Sequence, residues 1–464
     1  MADSVSLRPF QRRLIVAILL SSSFLSVLTQ FLLITAFPKI MQAFTIDSTQ
    51  VQWVTTSFMI TVAILIPITA YFIDTFKTRT LMMGALFFFL LGTLIGFIAQ
   101  SFPVLLVGRV LQGVGSGIMI PLMQTVLFIL YPREKRGYAM GLAGLVINVA
   151  PAIGPPLSGV IVNHFEWRAL FALTLPLAAI LLLLVFLFMH NVTKQKETNI
   201  DITSILLSIV AFGGLLYGFN QLQESGFNNL FTIISLTAGL IALVLFIWRQ
   251  LRLPTPILEL RVFKVPVFIL VVLISILGFS LLIATETILP MFVQNAQQYS
   301  AYYGGIIVMP GALTLAVMSL LAGKLFDKYG GKSIAIIGFI LLSVSTIGFY
   351  FVLELDTPFI VTIILFMVAM GGVALINMPI MTTGINALPD HLIPHGTSVI
   401  NTARQFGGSL GLTFIISFIS SADSGAGIDR ANYLIGVKTA FLVSFLFAIT
   451  GLVLSYFVGR NQSS

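Results

Sequence analysis

Fourteen apolar stretches of about twenty residues follow one another along this chain, and nearly every charged residue lies in the short loops between them. They run approximately over 14–36, 51–73, 80–99, 104–130, 138–163, 168–190, 202–220, 229–250, 267–293, 302–322, 333–353, 358–382, 398–421 and 434–458. A helix of about 20 residues crosses roughly 30 Å of hydrocarbon. The expected fold is therefore an all-α integral membrane protein with fourteen transmembrane helices, and 464 residues leave no room for a soluble domain. Charged residues are 9% of the chain, against about 25% in soluble domains. The first stretch follows Arg8-Pro-Phe-Gln-Arg-Arg13 and has no small-residue cleavage site near its end, so it reads as a retained helix and not as a signal peptide.

The net charge of +8 would suggest a nucleic-acid partner in a soluble protein, but here its distribution sets topology. Eighteen of the 24 Lys and Arg fall at the N-terminus, in the even-numbered loops, or at the C-terminus as Arg460. Lys39, Arg168, Arg430 and Lys438 lie on the opposite side, and Arg109 and Arg404 lie within spans. Both termini are expected to be cytoplasmic, in a multi-pass protein of the cell membrane. The chain has no cysteine, which excludes disulfides, thiolate metal sites and cysteine nucleophiles. The four histidines lie at span ends or in loops, and the His391/His395 spacing is a weak metal signal, so neither metal nor cofactor is expected. No GxxxxGK[ST] loop is present to couple this chain directly to ATP.

Three charged residues lie deep inside apolar stretches: Arg109, Glu286 and Arg404. A charge at the centre of a spanning helix costs about 2.5–3.5 kcal/mol on insertion scales, and such residues mostly face a bundle interior or a water path. Glu286 is the one carboxylate so placed, in Ile-Ala-Thr-Glu-Thr-Ile. Removal from water favours the protonated form of a carboxyl, so Glu286 can load and release a proton and compete with a cationic substrate for one site. Its other reading is a helix-packing Glu bonded to a neighbouring span. Arg109, with Gln112 at i+3, either biases the protonation of a nearby acid or anchors neighbouring helices through its five donors. Aligning Pro121 with Pro379 sets Met367 opposite Arg109, so the arginine is not duplicated. Arg404, near Asn401 and Gln405, either pairs with Glu286 or snorkels to lipid headgroups. Gln30, Asn148 and Asn377 are intramembrane amides that can line a cavity and contact substrate.

One element occurs twice: Ala70-Tyr-Phe-Ile-Asp74-Thr-Phe-Lys77-Thr-Arg79 after the second span, and Gly323-Lys-Leu-Phe-Asp327-Lys328-Tyr-Gly-Gly-Lys332 after the tenth. Two copies eight spans apart divide the chain into an N-terminal six-helix bundle (1–190), two inserted helices with a linker (191–264) and a C-terminal six-helix bundle (265–464). Similar bundles packed face to face can rock about a midplane site. The acids and bases of the two loops are then candidate latches, or ordinary solvated positive-inside loops.

These loops resemble the loop between helices two and three of the major facilitator superfamily, G-x-L-a-D-r-x-G-r-k, and the second copy fits better. Three more stretches resemble the same family. Arg109-Val-Leu-Gln112-Gly113-Val-Gly115-Ser-Gly117 is similar to the fourth-helix motif, and the run ending Gly154-Pro155-Pro156-Leu-Ser-Gly159 to the fifth-helix antiporter motif. Asn401-Thr-Ala-Arg404-Gln405-Phe-Gly407-Gly408 is similar to a signature of the fourteen-helix drug:proton antiporter branch. Thr29 and Ile34 depart from that branch's first-helix acid and Asn, so no preference for multiply charged cations is implied. Asn148 and Ser158 depart from glycines of the fifth helix. Gly113 and Gly117 read as close-packing positions, and the Gly154-Pro155-Pro156 kink as a stiff seal between the bundles. The resemblance implies a monomeric exporter of lipophilic, often cationic compounds in exchange for protons. A dedicated exporter of one metabolite or lipid is the alternative. A membrane enzyme would need clustered loop acids, histidines or a nucleophile, which the short loops lack.

Overall fold

The computed structural model describes residues 8–196, 201–225, 229–420 and 430–458, and among these every regular element is helical. Arg460 lies outside the described residues. A first group comprises α1 (Pro9–Leu32), α2 (Phe37–Phe44), α3 (Ser48–Thr75), α4 (Thr78–Ile98), α5 (Phe102–Leu130), α6 (Arg136–His164) and α7 (Ala169–Phe188). Next, α8 (Ile202–Ser208) runs through a π-helical turn (Ile209–Gly213) into α9 (Gly214–Ser225), and α10 (Leu230–Arg252) follows. A last group comprises α11 (Pro266–Met291), α12 (Ala301–Val352), α13 (Phe359–Asn386), α14 (Ile393–Ser420) and α15 (Arg430–Phe457).

Helices dominate because an apolar run in a bilayer must satisfy its own backbone N–H and C=O groups. Local signals set their starts. Pro9 and Pro266 open α1 and α11, where the missing N–H would have had no intrahelical partner anyway. Asp47 caps α3 by accepting the Gln50 N–H at 2.7 Å while the Gln50 side chain accepts the Asp47 N–H at 3.2 Å.

Twelve helical segments among the described residues are long and apolar enough to cross a membrane. One of them, Tyr303–Val352, is two helices that meet at Gly330, whose φ of 76° is a backbone conformation open mainly to glycine. The expected loop at 323–332 is thus helical on both sides of a bend at a single residue. The polar-rich α14, 28 residues long, is not among the twelve.

Glycines set how the groups meet. In the first group, a Cβ at Gly113 of α5 would lie 2.7 Å from the Thr61 Cβ of α3, so these helices touch through backbone. Between the groups, a Cβ at Gly323 of α12 would lie 2.3 Å from the Gly137 carbonyl of α6, which makes α6 and α12 one seam. The second seam joins α3 to α14, and the α8–α10 pair lies over it. The Phe212 ring sits 4.9 Å from Phe406 of α14, Gly213 abuts Ile64 of α3, and Tyr217 lies 5.8 Å from Trp53. α10 turns Phe231, Ile241, Val244 and Leu251 outward as a lipid-facing surface, whereas α5 and α13 are the most enclosed helices.

Candidate functional site

Glu286 sits within α11, five residues before its end, and is half-buried. Its neighbours give it nothing: Thr285 donates to the Leu281 carbonyl at 2.7 Å and Thr287 to the Ile283 carbonyl at 2.8 Å. Among the described residues the Glu286 carboxyl has no hydrogen-bond or ion-pair partner. A packing role would require a partner, because a polar group kept from water without one is costly.

Arg109 is fully buried. Its Nε donates to the Val54 carbonyl of α3 at 2.8 Å and its Nη1 to Gln112 Oε1 at 2.8 Å. Gln112 in turn donates to Thr93 Oγ1 of α4 at 2.9 Å, and the guanidinium lies 4.4 Å from the Phe58 ring centroid. The network ties α3, α4 and α5 together, while Nη2 has no partner among the described residues. Among the described residues no carboxylate compensates the charge.

Arg404 pairs with Asn377. Its Nη2 donates to the Asn377 carbonyl at 2.5 Å and lies 3.2 Å from Asn377 Oδ1, and the side chain is 6% exposed. It therefore neither pairs with Glu286 nor snorkels outward. The remaining amides divide. Asn148 donates to Ser319 Oγ at 3.1 Å across the α6–α12 seam, and Gln30 is half-buried without a side-chain bond among the described residues. Asn401 donates to Gln124 Oε1 at 2.6 Å, a further bond between the two groups.

The repeated acids both sit where the groups meet. Asp327 accepts the Gly137 and Tyr138 N–H groups at 2.8 Å each, at the N-terminus of α6, where unpaired donors and the helix dipole favour a carboxylate. Asp74 receives Lys196 Nζ at 2.5 Å and faces His395 Nε2 at 3.2 Å. The bases expected beside them go elsewhere. Arg79 bonds the Phe186 carbonyl and stacks on its ring, Lys328 lies over Tyr329, and Lys332 over Tyr456. Lys77 is exposed and immediately precedes α4. Arg136 instead joins the contact, donating to Asn386 Oδ1 at 2.9 Å and lying 3.6 Å from Asp390.

A model of the Major Facilitator Superfamily matches residues 19–412. The chain belongs to the major facilitator superfamily. This facilitator is 47% identical to the uncharacterized MFS-type transporter YcnB of Bacillus subtilis, over 100% of this chain and 98% of that one. It is 36% identical to the lincomycin resistance protein LmrB of Listeria monocytogenes, over 97% of each. Among solved structures, the human organic anion transporter MFSD10 superposes with a TM-score of 0.68, 13% identity, and coverage of 97% of this chain and 100% of that one. Fold and relatives make the chain a multi-pass membrane transporter of small molecules.

The structure redistributes the facilitator's motif residues. Gly113 and Gly117 pack α5 on α3. Gly154 abuts Phe31 of α1, inside the first group, and a Cβ at Gly159 would meet open space. Ser158, a departure from glycine, accepts a hydrogen bond from Thr35. Reasoning from sequence missed His395, Lys196, Arg136 and Asn386. His395 stands at the polar start of an apolar run, and that placement was the usable signal, because a histidine kept from water needs partners. A cavity of about 800 Å³ lies against Arg12, Arg13, Tyr131, Tyr138 and Asp327, and Arg109, Glu286 and Arg404 are not in its lining.

Proposed function

We propose that this facilitator is a proton-coupled antiporter that exports lipophilic compounds, lincosamides among them, by alternating access. The observation that carries the reading is Glu286: a carboxyl within a span, half-buried and free of structural partners among the described residues. A carboxyl already spent on a salt bridge is a poor coupling group. A free one binds a proton from one side and yields it when a cationic or polar substrate group arrives.

The chain has fourteen spans in this reading, counting both helices of α12 and adding α14. They form bundles at 1–190 and 265–464 around an inserted pair in 191–264. Both termini are cytoplasmic, and the monomer in the cell membrane is the working unit. Asp74 and Asp327 then close the cytoplasmic side, and the described conformation is the one closed to the cytoplasm. Arg109 tunes the charge balance of the path, and Gln30, Asn148, Asn377 and Arg404 line it. Resistance relatives at 34–36% identity along nearly the full chain support a drug as substrate.

The dedicated-exporter reading draws on Thr29, which is buried and bonds the Leu25 carbonyl at 2.7 Å, so the first helix offers no acid at that position. One experiment separates the two. Inverted vesicles carrying the protein are given an acidic lumen and a panel of lincomycin, cationic dyes and neutral lipophiles. Gradient-dependent accumulation of several chemically unrelated compounds is expected. Accumulation of none overturns drug export.

A further inference from the structure

Two stretches that connect α8–α10 to the rest of the chain converge on the Asp74–His395 contact. Lys196, at the end of the stretch after α7, reaches Asp74 twice: Nζ lies 2.5 Å from Oδ2, and the backbone N–H donates to the Asp74 carbonyl at 2.8 Å. The same stretch is laced to the start of α4, where Thr78 Oγ1 accepts the N–H groups of Val192 and Thr193 at 3.1 Å each. From the other side, in the stretch between α10 and α11, the Glu259 N–H donates to His395 Nδ1 at 3.1 Å. An accepting Nδ1 assigns the ring proton to Nε2, which faces Asp74 Oδ2 at 3.2 Å. Ile257, two residues earlier, is 1% exposed and packs on Ile68 and Tyr71 of α3.

Asp74 belongs to α3 and His395 to α14, so the contact they make is the seam itself. Deeper in the membrane the inserted pair covers the same seam through Phe212, Gly213 and Tyr217.

We propose that the inserted pair and its two connections form a clasp on the α3–α14 seam: the Glu259 backbone fixes His395 against Asp74 across the seam, Lys196 balances the buried Asp74 charge from its own side, and the His395–Asp74 contact parts when the end opens. This rests on the alternating-access reading. Asp74 is 7% exposed, so in the closed state its carboxylate depends on these donors, whereas an open state returns it to water. Removing one donor therefore costs the closed state more than the open one.

The chain has no cysteine, so Ser319→Cys is the single reactive thiol; it weakens the Asn148 bond to this position, and every rate is therefore compared within the Ser319→Cys background. Ser319 is 1% exposed and lies on the other seam, against Gly141 and Gly144 of α6, so its labelling reads opening of the whole end and not local loosening. In inverted vesicles a membrane-impermeant maleimide should label Ser319→Cys slowly. Adding Lys196→Gln or His395→Gln should speed labelling about fivefold, as expected for a partly screened ion pair. Lys196→Arg should restore the slow rate. Unchanged labelling in both Gln variants, with acceleration by Asp74→Asn, overturns the clasp and leaves alternating access standing. No acceleration even by Asp74→Asn overturns both.

Discussion

Asp327→Asn isolates the contact between the last group of helices and the N-terminus of α6. The carboxylate accepts two N–H groups at 2.8 Å, from Gly137 and Tyr138. A hydrogen bond to a charged acceptor contributes about 1.5–3 kcal/mol, and a negative charge at a helix N-terminus about 0.3–1 kcal/mol more. Asparagine keeps one oxygen for one donor, turns its NH2 toward the other, and has no charge. The loss is about 2 kcal/mol after allowance for partial exposure, or roughly thirtyfold in the closed-to-open ratio. Spin labels at Thr80→Cys and Lys324→Cys, both exposed and in different groups, report that ratio as two distances in double electron–electron resonance. The variant should populate a longer distance that wild type barely shows. A distribution identical to wild type, in protein that still folds and inserts, refutes the helix-terminus latch.

Two other perturbations test the supporting structure. Arg109→Lys removes the Nε bond to Val54 and the planar contact with Phe58, and a point charge cannot replace them; thermal unfolding in detergent should show a loss of about 2 kcal/mol, and unchanged stability contradicts the anchoring of α3 to α5. Asp201 is bound twice by Arg249, at 2.8 and 2.9 Å, and that guanidinium holds its carboxyl down to about 2. Because the folded value lies below the unfolded one of about 3.9, the pair stabilises above about pH 4 and its contribution fades as pH falls toward about 2. Asp201→Asn should therefore be less stable by about 0.5–1 kcal/mol near neutral pH, with the gap closing in acid; a gap that persists at about pH 3 contradicts the assignment.

The spans were legible because apolar runs of bilayer length admit one backbone solution. The duplicated acids were legible too, since repetition at corresponding places singled out Asp74 and Asp327. Their partners were not, because sequence proximity is a poor guide to what a carboxylate meets. Lys77, Arg79, Lys328 and Lys332 stand beside the acids in the chain but face other surfaces, while Lys196 and His395 arrive from 122 and 321 residues away. Arg404 met an amide and a carbonyl, neither the carboxylate nor the headgroups of its two readings, since nothing local to its motif reveals the register of α13 against α14. Gly330 illustrates the reverse limit. A loop was expected, yet a single glycine at positive φ turns the chain between two helices without one.

The central claim is that Glu286 couples substrate movement to protons. The direct measurement compares wild type with Glu286→Gln in proteoliposomes, following substrate both in counterflow, with no pH gradient, and under an imposed one. Glu286→Gln should retain substrate exchange in counterflow and lose gradient-driven accumulation, because the path survives while its titrating group does not. Undiminished gradient-driven accumulation in Glu286→Gln contradicts the claim.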